Sequence, residues 1–174
     1  MKRIALIGSG GAGKSTAARR LGELLGIEVV HLDQMYWKPG WVKTPEEEWI
    51  PLVQRLLQGE SWIMDGNFGS TMNIRLQAAD TIVLLDLPRA VCTWRVLKRV
   101  LTHWKRVRPD MAPGCPDKLD FTFIKWVWDY PKNSRPRVLA RIAQVQTDKR
   151  IVHIRKQSDL EKFLQEIAAA KTVP

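Results

Sequence analysis

Cysteine is scarce. There are two, Cys92 and Cys115, in 174 residues, and they fall into no metal or redox motif. They read as reduced thiols, which suits a cytoplasmic protein. No apolar run approaches the ~20 residues that a membrane span needs. The first strand pattern begins at Arg3, which leaves no room for a signal peptide. Internal repeats are absent, and Ala168-Ala169-Ala170 is the one low-complexity stretch. We therefore expect a cytoplasmic chain with no membrane partner. Its length suits one domain over 1–174 that buries a real core without staples.

Negative charge is also short. Lys and Arg number 28 against 18 Asp and Glu, a net charge of +10. The excess is local: Leu87 to Lys156 holds about 17 Lys/Arg against about 5 Asp/Glu. A solvated basic surface, a nucleic-acid face and a lid that grips phosphates would each use such charge. Several of the cations sit at helical spacing behind a strand, which favours the lid, expected at about 100–136.

The most informative stretch runs from Lys2 to Leu25. Arg3-Ile4-Ala5-Leu6-Ile7 reads as a buried parallel strand, and Ser15 to Leu25 as a helix. Between them, Gly8-Ser9-Gly10-Gly11-Ala12-Gly13-Lys14-Ser15-Thr16 fits the phosphate-binding loop G-x-x-x-x-G-K-[ST]. Its glycines let several backbone N–H groups converge, and the helix N-terminus adds partial positive charge. Lys14 suits the β- and γ-phosphates of ATP, and the Ser15 hydroxyl suits Mg²⁺. Gly8, Gly10 and Gly13 also satisfy the dinucleotide pattern G-x-G-x-x-G, with Asp33 placed as its ribose-binding acid. Lys14, Ser15 and Thr16 decide for the phosphate loop, because a dinucleotide loop has no role for a lysine and two hydroxyls there.

Further along, Glu28 to Asp33 reads as a strand that ends in an acid. Ligands of open parallel sheets lie beyond such strand ends, so Asp33 is expected at the site. Trp37 and Trp41 flank a turn and either stack a flat substrate or pack a loop over the sheet. Thr44-Pro45-Glu46-Glu47 predicts a capping box. Trp62 to Asp65 and Thr81 to Asp86 are two more strands ending in acids, so Asp65 and Asp86 compete for the metal role. Pro88 opens a helix on which Arg95 and Arg99 share a face, suited to the charge of a transferring phosphoryl group. Arg106 to Pro116 reads as a projecting loop, followed by helices from Phe121 and Arg135. Arg150 to Ile154 is a fifth strand; His153 within it has no evident Ser or Asp partner and reads as structural. Ser158 and Glu161 predict a second capping box. The alternation of strands and helices predicts a three-layer α/β/α fold around a parallel sheet.

These residues resemble the adenylate-kinase-like branch of P-loop kinases, and more closely the DNA topology modulation (FlaR-related) group. The matching features are Gly8 to Thr16, His31-Leu32-Asp33 with Trp37 and Trp41, and Trp62 to Asn67. Leu85 to Arg89 with Arg95 and Arg99, and Arg108 to Met111 with Gly114-Cys115, complete the set. The resemblance implies a five-stranded sheet of order 2-3-1-4-5. It gives the metal role to Asp65, through Asp65-Gly66, and makes Arg95 and Arg99 paired lid arginines. Asn67-Phe68-Gly69 departs from the family's Phe-Pro-Arg, so one substrate arginine is missing, with Arg75 a candidate substitute.

The reading that follows is a kinase using ATP and Mg²⁺. Gly8 to Thr16 binds ATP, Ser15 and Asp65 hold Mg²⁺, and Lys14, Arg95, Arg99 and Asp33 are the catalytic candidates. Asp33, Trp37, Trp41, Asn67 and Arg75 are expected at a small acceptor, a nucleotide or another molecule. The alternative is a basic nucleic-acid-binding regulator that uses ATP as ligand or switch; no DNA-reading motif supports it.

Overall fold

The computed structural model describes residues 1–172. Five parallel strands form the central sheet: β1 (Arg3–Gly8), β2 (Val29–His31), β5 (Trp62–Asp65), β6 (Thr81–Leu85) and β7 (Arg150–Ile154). Their order is β2-β5-β1-β6-β7, which in order along the chain is second, third, first, fourth, fifth. Two short strands lie outside it, β3 (Trp37–Lys38) and β4 (Val42–Lys43), paired antiparallel as a hairpin. That hairpin is not expected from the sequence.

Strand β1 pairs with β5 on one side and β6 on the other, so the loop that follows it leaves from the middle of the sheet. Being covered on both faces, β1 and β6 carry continuous apolar runs. Side chains alternate between the two layers, as a strand's period of two requires. Ile4, Leu6, Val83 and Leu85 face one core. Helix α1 (Lys14–Leu25), α5 (Arg89–Thr102), α6 (Phe121–Asn133) and α8 (Gln157–Thr172) cover that side. Ala5, Ile7, Ile82 and Leu84 face the other, under α2 (Leu32–Tyr36), α3 (Glu46–Leu56), α4 (Gly69–Ala78) and α7 (Arg135–Ala143). No helix among the described residues is long and apolar enough to cross a membrane.

An aromatic cluster ties the hairpin's base to the second layer. The fully buried Trp49 ring lies 5.1 Å from Tyr36 and 5.0 Å from Phe68, centroid to centroid. Truncating it would cost about 3–5 kcal/mol.

Several local expectations change. The second strand ends at His31, and Asp33 sits in the first turn of α2. It still lies just beyond the strand's carboxyl end. Thr44 does not cap α3, which has no side-chain cap bond; its hydroxyl donates to Tyr36 O at 2.6 Å. Helix α3 ends at Leu56. At α8, Asp159 accepts from Arg155 N and Lys156 N at 3.0 and 3.1 Å. Glu161 meets Arg20 in a bidentate pair of two 2.7 Å bonds, so it is not available to a Ser158 capping box.

Candidate active site

The loop from β1 to α1 closes on itself through left-handed glycines. Gly13, the residue before α1, has φ +94°, and Gly11 has φ +73°. A Cβ on Gly11 would sit 2.2 Å from Cys92 O, so the loop lies directly on α5 and admits no side chain there. A Cβ on Gly10 would press on Phe123 and Val127 of α6. Lys14 spans the loop, its Nζ donating to Ser9 O at 3.0 Å. Arg95 lies against Gly13 and donates to Gln157 Oε1 at 3.2 Å.

Carboxylates reach this loop from two directions. Asp33, beyond β2, is pushed up by burial and by Asp65, while Lys14 and Arg108 pull it down. Asp65 is buried at the end of β5 and takes His31 Nδ1 at 2.6 Å. His31 and Asp65 are direct partners in the β2–β5 register, so the pairing of two strands distant in sequence builds this contact. Asp86, the other strand-end acid, is committed elsewhere. It takes Arg135 Nε on both oxygens at 2.9 and 2.8 Å, and His153 Nε2 at 2.8 Å. His153 therefore has an Asp partner, one that only the fold reveals.

The second direction is the connection from α5 to α6, residues 103–120. It folds back and docks on the hairpin. Met111, Ala112 and Cys115 are buried against Trp37 and Trp41. Trp41 Nε1 donates to Pro116 O at 3.2 Å, Gly40 N to Gly114 O at 2.9 Å, and Gln34 to Pro109 O. Both tryptophans thus pack the loop, with ring centroids 5.4 Å apart. The docking aims Arg108 and Asp110 inward. Arg108 Nη1 donates to Asp110 Oδ2 at 2.6 Å, and its Nε lies 2.9 Å from Asp117 Oδ2. Arg99 joins them, with Nε 3.7 Å from the same Asp117 oxygen. Burial and the nearby Arg108 lower the Arg99 pKa, against the pull of Asp117, Asp110 and Asp33.

The structure thus brings Lys14, Ser15, Asp33, Asp65, Arg95 and Arg99 to one region. It keeps Arg75 out of solvent: fully buried, it donates to Gly66 O and Phe68 O at 2.9 Å each. Asn67 faces the buried Tyr130, whose hydroxyl burial pushes up to about 12. Asp117 joins the region without having been singled out from the sequence, and His31 and Asp110, which lie in the quoted motifs, join it without having been given a role. The one sequence signal for them is the Arg108-x-Asp110 pair within a proline-rich loop.

No family model matches the sequence, and no curated protein matches it. Solved structures do match the fold. A shikimate kinase from Acinetobacter baumannii, in complex with shikimate, superposes with a TM-score of 0.58 at 16% identity, covering 100% of this chain and 96% of that one. A shikimate kinase from Bacteroides thetaiotaomicron gives a TM-score of 0.55 at 16% identity, covering 99% of each chain. The fold is the three-layer α/β/α fold of P-loop NTPases. In it, the Gly8–Thr16 loop, Asp33 just beyond β2, Asp65 at the end of β5 and the folded-back connection lie together at the carboxyl edge of the sheet.

Proposed function

We propose that the protein is a kinase that moves the γ-phosphoryl group of Mg·ATP to a small acceptor, a nucleotide or another molecule. One observation carries the reading. The partly buried Asp33 carboxylate lies within electrostatic reach of Lys14 on the phosphate loop and Arg108 on the folded-back connection. A base, a phosphate-binding lysine and a loop arginine brought close together is the arrangement phosphoryl transfer uses.

In this reading the amides of Gly8 to Thr16 and the Lys14 ammonium bind the phosphates. Arg99 and Arg108, with Arg95 beside Gly13, face the negative charge that spreads over the transferring group. Asp33 accepts or orients the acceptor's proton, and its raised pKa strengthens it as a base. Asp65, oriented by His31, and Ser15 would hold the metal. Among the described residues no three His, Cys, Asp or Glu side chains form a metal cage. Mg²⁺ fits without one, since it keeps several waters and binds through one or two carboxylates plus substrate phosphates. When bound, it neutralises the β- and γ-phosphate oxygens.

We read 103–120 as the lid, set within an expected lid segment of about 100–136 and a single kinase-like domain over 1–174. Trp37 and Trp41 then serve the acceptor as the lid's seat. Asn67, in the turn after β5 and beside Tyr130, would bound the acceptor's side of that turn. Arg75 supports that turn from behind. The Asp65-Gly66 and Arg108-Pro109-Asp110-Met111 motifs support a resemblance to the topology modulation group. The shikimate kinase neighbour that holds shikimate supports a small-molecule acceptor. Incubation with labelled ATP across nucleoside monophosphates, nucleosides and sugars should label one class; no transfer to any class and no ATP hydrolysis would refute the reading.

A further inference from the structure

Helix α5 is apolar on two opposite faces. On the inner face Cys92, Val96 and Val100 are buried, and Gly11 of the phosphate loop lies against the first two. On the outer face Val91, Trp94 and Leu101 recur at helical spacing and are 37%, 63% and 76% exposed. Lys98 stands between Trp94 and Leu101 on the same stripe, also exposed. Large rings are as a rule well covered, and a helix apolar all round is normally a buried one.

The stripe continues past the helix. Trp104 is half exposed, yet its backbone bridges to Asp117, and Lys105 N donates to Asp117 O at 3.1 Å. Lys105 takes a left-handed backbone, φ +58°, so backbone pairing fixes this outward turn. Helix α6 packs on α5 and adds two more bare rings, Phe121 and Trp128, 75% and 43% exposed. The Arg89 guanidinium lies 4.4 Å from the Trp128 ring, which places that ring beside the first turn of α5.

Charge picks the occupant. From Leu87 to Pro109 the sequence has no Asp or Glu at all, and Lys98, Lys105 and Arg106 are exposed. On α6, Lys125 and Lys132 share a face with Phe121 and Trp128. A second copy of this surface would set like charge against like. Protein interfaces are poor in lysine at their centre, whereas here lysines alternate with the rings. Base stacking would use the tryptophans but leaves Val91 and Leu101 unused. A lipid surface uses all of them: rings and aliphatic tips enter the acyl boundary, and long lysine stems reach the acidic headgroups. We propose that the outer face of α5, extended by Trp104 and flanked by α6, docks on a bilayer surface rich in acidic lipid. The expectation of no membrane partner came from the lack of a spanning run, and a helix lying in the interface needs none. The phosphate loop lies on the opposite face of α5, so docking does not cover it, and the proposal stands independently of the kinase reading.

The test is co-sedimentation of the full chain with vesicles, one set of pure phosphatidylcholine and one with about a third phosphatidylglycerol. Wild type should bind the acidic vesicles about tenfold or more tightly than the neutral ones. Trp94→Ala combined with Leu101→Ala should lose about tenfold or more of that binding. Both side chains are exposed, so the variant should melt close to wild type; Trp94→Gln alone, which should lose part of the binding, decides the matter where the pair fails to fold. Lys98→Glu with Lys105→Glu should lose a similar share. Val42→Ser, which removes an exposed apolar side chain from the hairpin, should bind as wild type does. The proposal is overturned if acidic vesicles sediment none of the chain. It is overturned equally if the Trp94 and Leu101 changes leave binding intact, which marks charge attraction alone, or if Val42→Ser weakens it as much. A single-stranded oligonucleotide bound in place of vesicles, and released by the same variants, would give the face to nucleic acid. A dimer that those variants dissolve, without vesicle binding, would give it to a second copy.

Discussion

Arg75 offers a sharp contrast between a substrate contact and a structural one. Its guanidinium is fully buried, donates to Gly66 O and Phe68 O at 2.9 Å each, and lies near Asp65. Burial lowers its pKa to about 10, with Asp65 opposing the shift, so the charge is desolvated at a cost. Arg75→Ala removes two charge-assisted bonds of about 1.5–3 kcal/mol each and strands two carbonyls. Returning the guanidinium to water offsets part of that loss, leaving a net destabilisation of about 2–4 kcal/mol. For a chain of this length each kcal/mol lowers Tm by about 2–4 °C, so Tm should fall by about 5–15 °C. Thermal and urea unfolding of the variant, alongside wild type, measure this. Arg75→Met should also be destabilised, because it too leaves the carbonyls bare. Unchanged stability together with a raised KM for the acceptor would refute the reasoning and return Arg75 to the substrate.

Asp33→Asn should abolish transfer yet stabilise the fold at neutral pH. Because the folded-state pKa of Asp33 is raised, its contribution to stability is present at acid pH and is lost as pH rises through that value. The variant should therefore gain over wild type above that window and not below it; the opposite pH dependence in unfolding measurements would contradict the placement of Asp33. Asp65→Asn should lose Mg²⁺-dependent turnover while remaining folded. Asp86→Asn should chiefly lose stability, by about 1–3 kcal/mol, since it releases Arg135 and His153; reversed phenotypes would mean that the metal roles are misassigned. Arg99→Ala should cut turnover by about 10²–10³. Normal turnover with a DNA salt slope flattened by about one unit would count against the lid and for nucleic acid.

Much of the floor of the site is legible in the sequence because its signals are local. A buried strand, a glycine loop, Lys14 and Ser15 follow one another within Lys2 to Leu25, and Pro88 marks the start of α5 one residue before Arg89. The roof is not legible, since it depends on contacts between distant segments. Two-residue strands around Pro39-Gly40 leave no periodic trace, and just beyond them the Thr44 hydroxyl goes to Tyr36 O and not to α3. His31 becomes partner to Asp65 only through the β2–β5 register, and His153 to Asp86 only across β6 and β7. Arg75 looks like any polar residue of a short helix until α4 packs it against the turn at Gly66. The inward aim of Arg108 and Asp110 goes with the loop's packing on the tryptophans, a contact between distant segments.

The central claim is that Gly8 to Thr16 grips the phosphates of ATP for transfer. Lys14→Ala removes the one ammonium that spans that loop, a charge-assisted contact whose loss should weaken ATP binding or turnover by about 2 kcal/mol or more. Titrating wild type and Lys14→Ala with Mg·ATP, and following turnover on the same preparations, measures it directly. The account predicts a drop of about thirtyfold or more in affinity or turnover in a normally folded variant. Unchanged affinity together with unchanged turnover would contradict it.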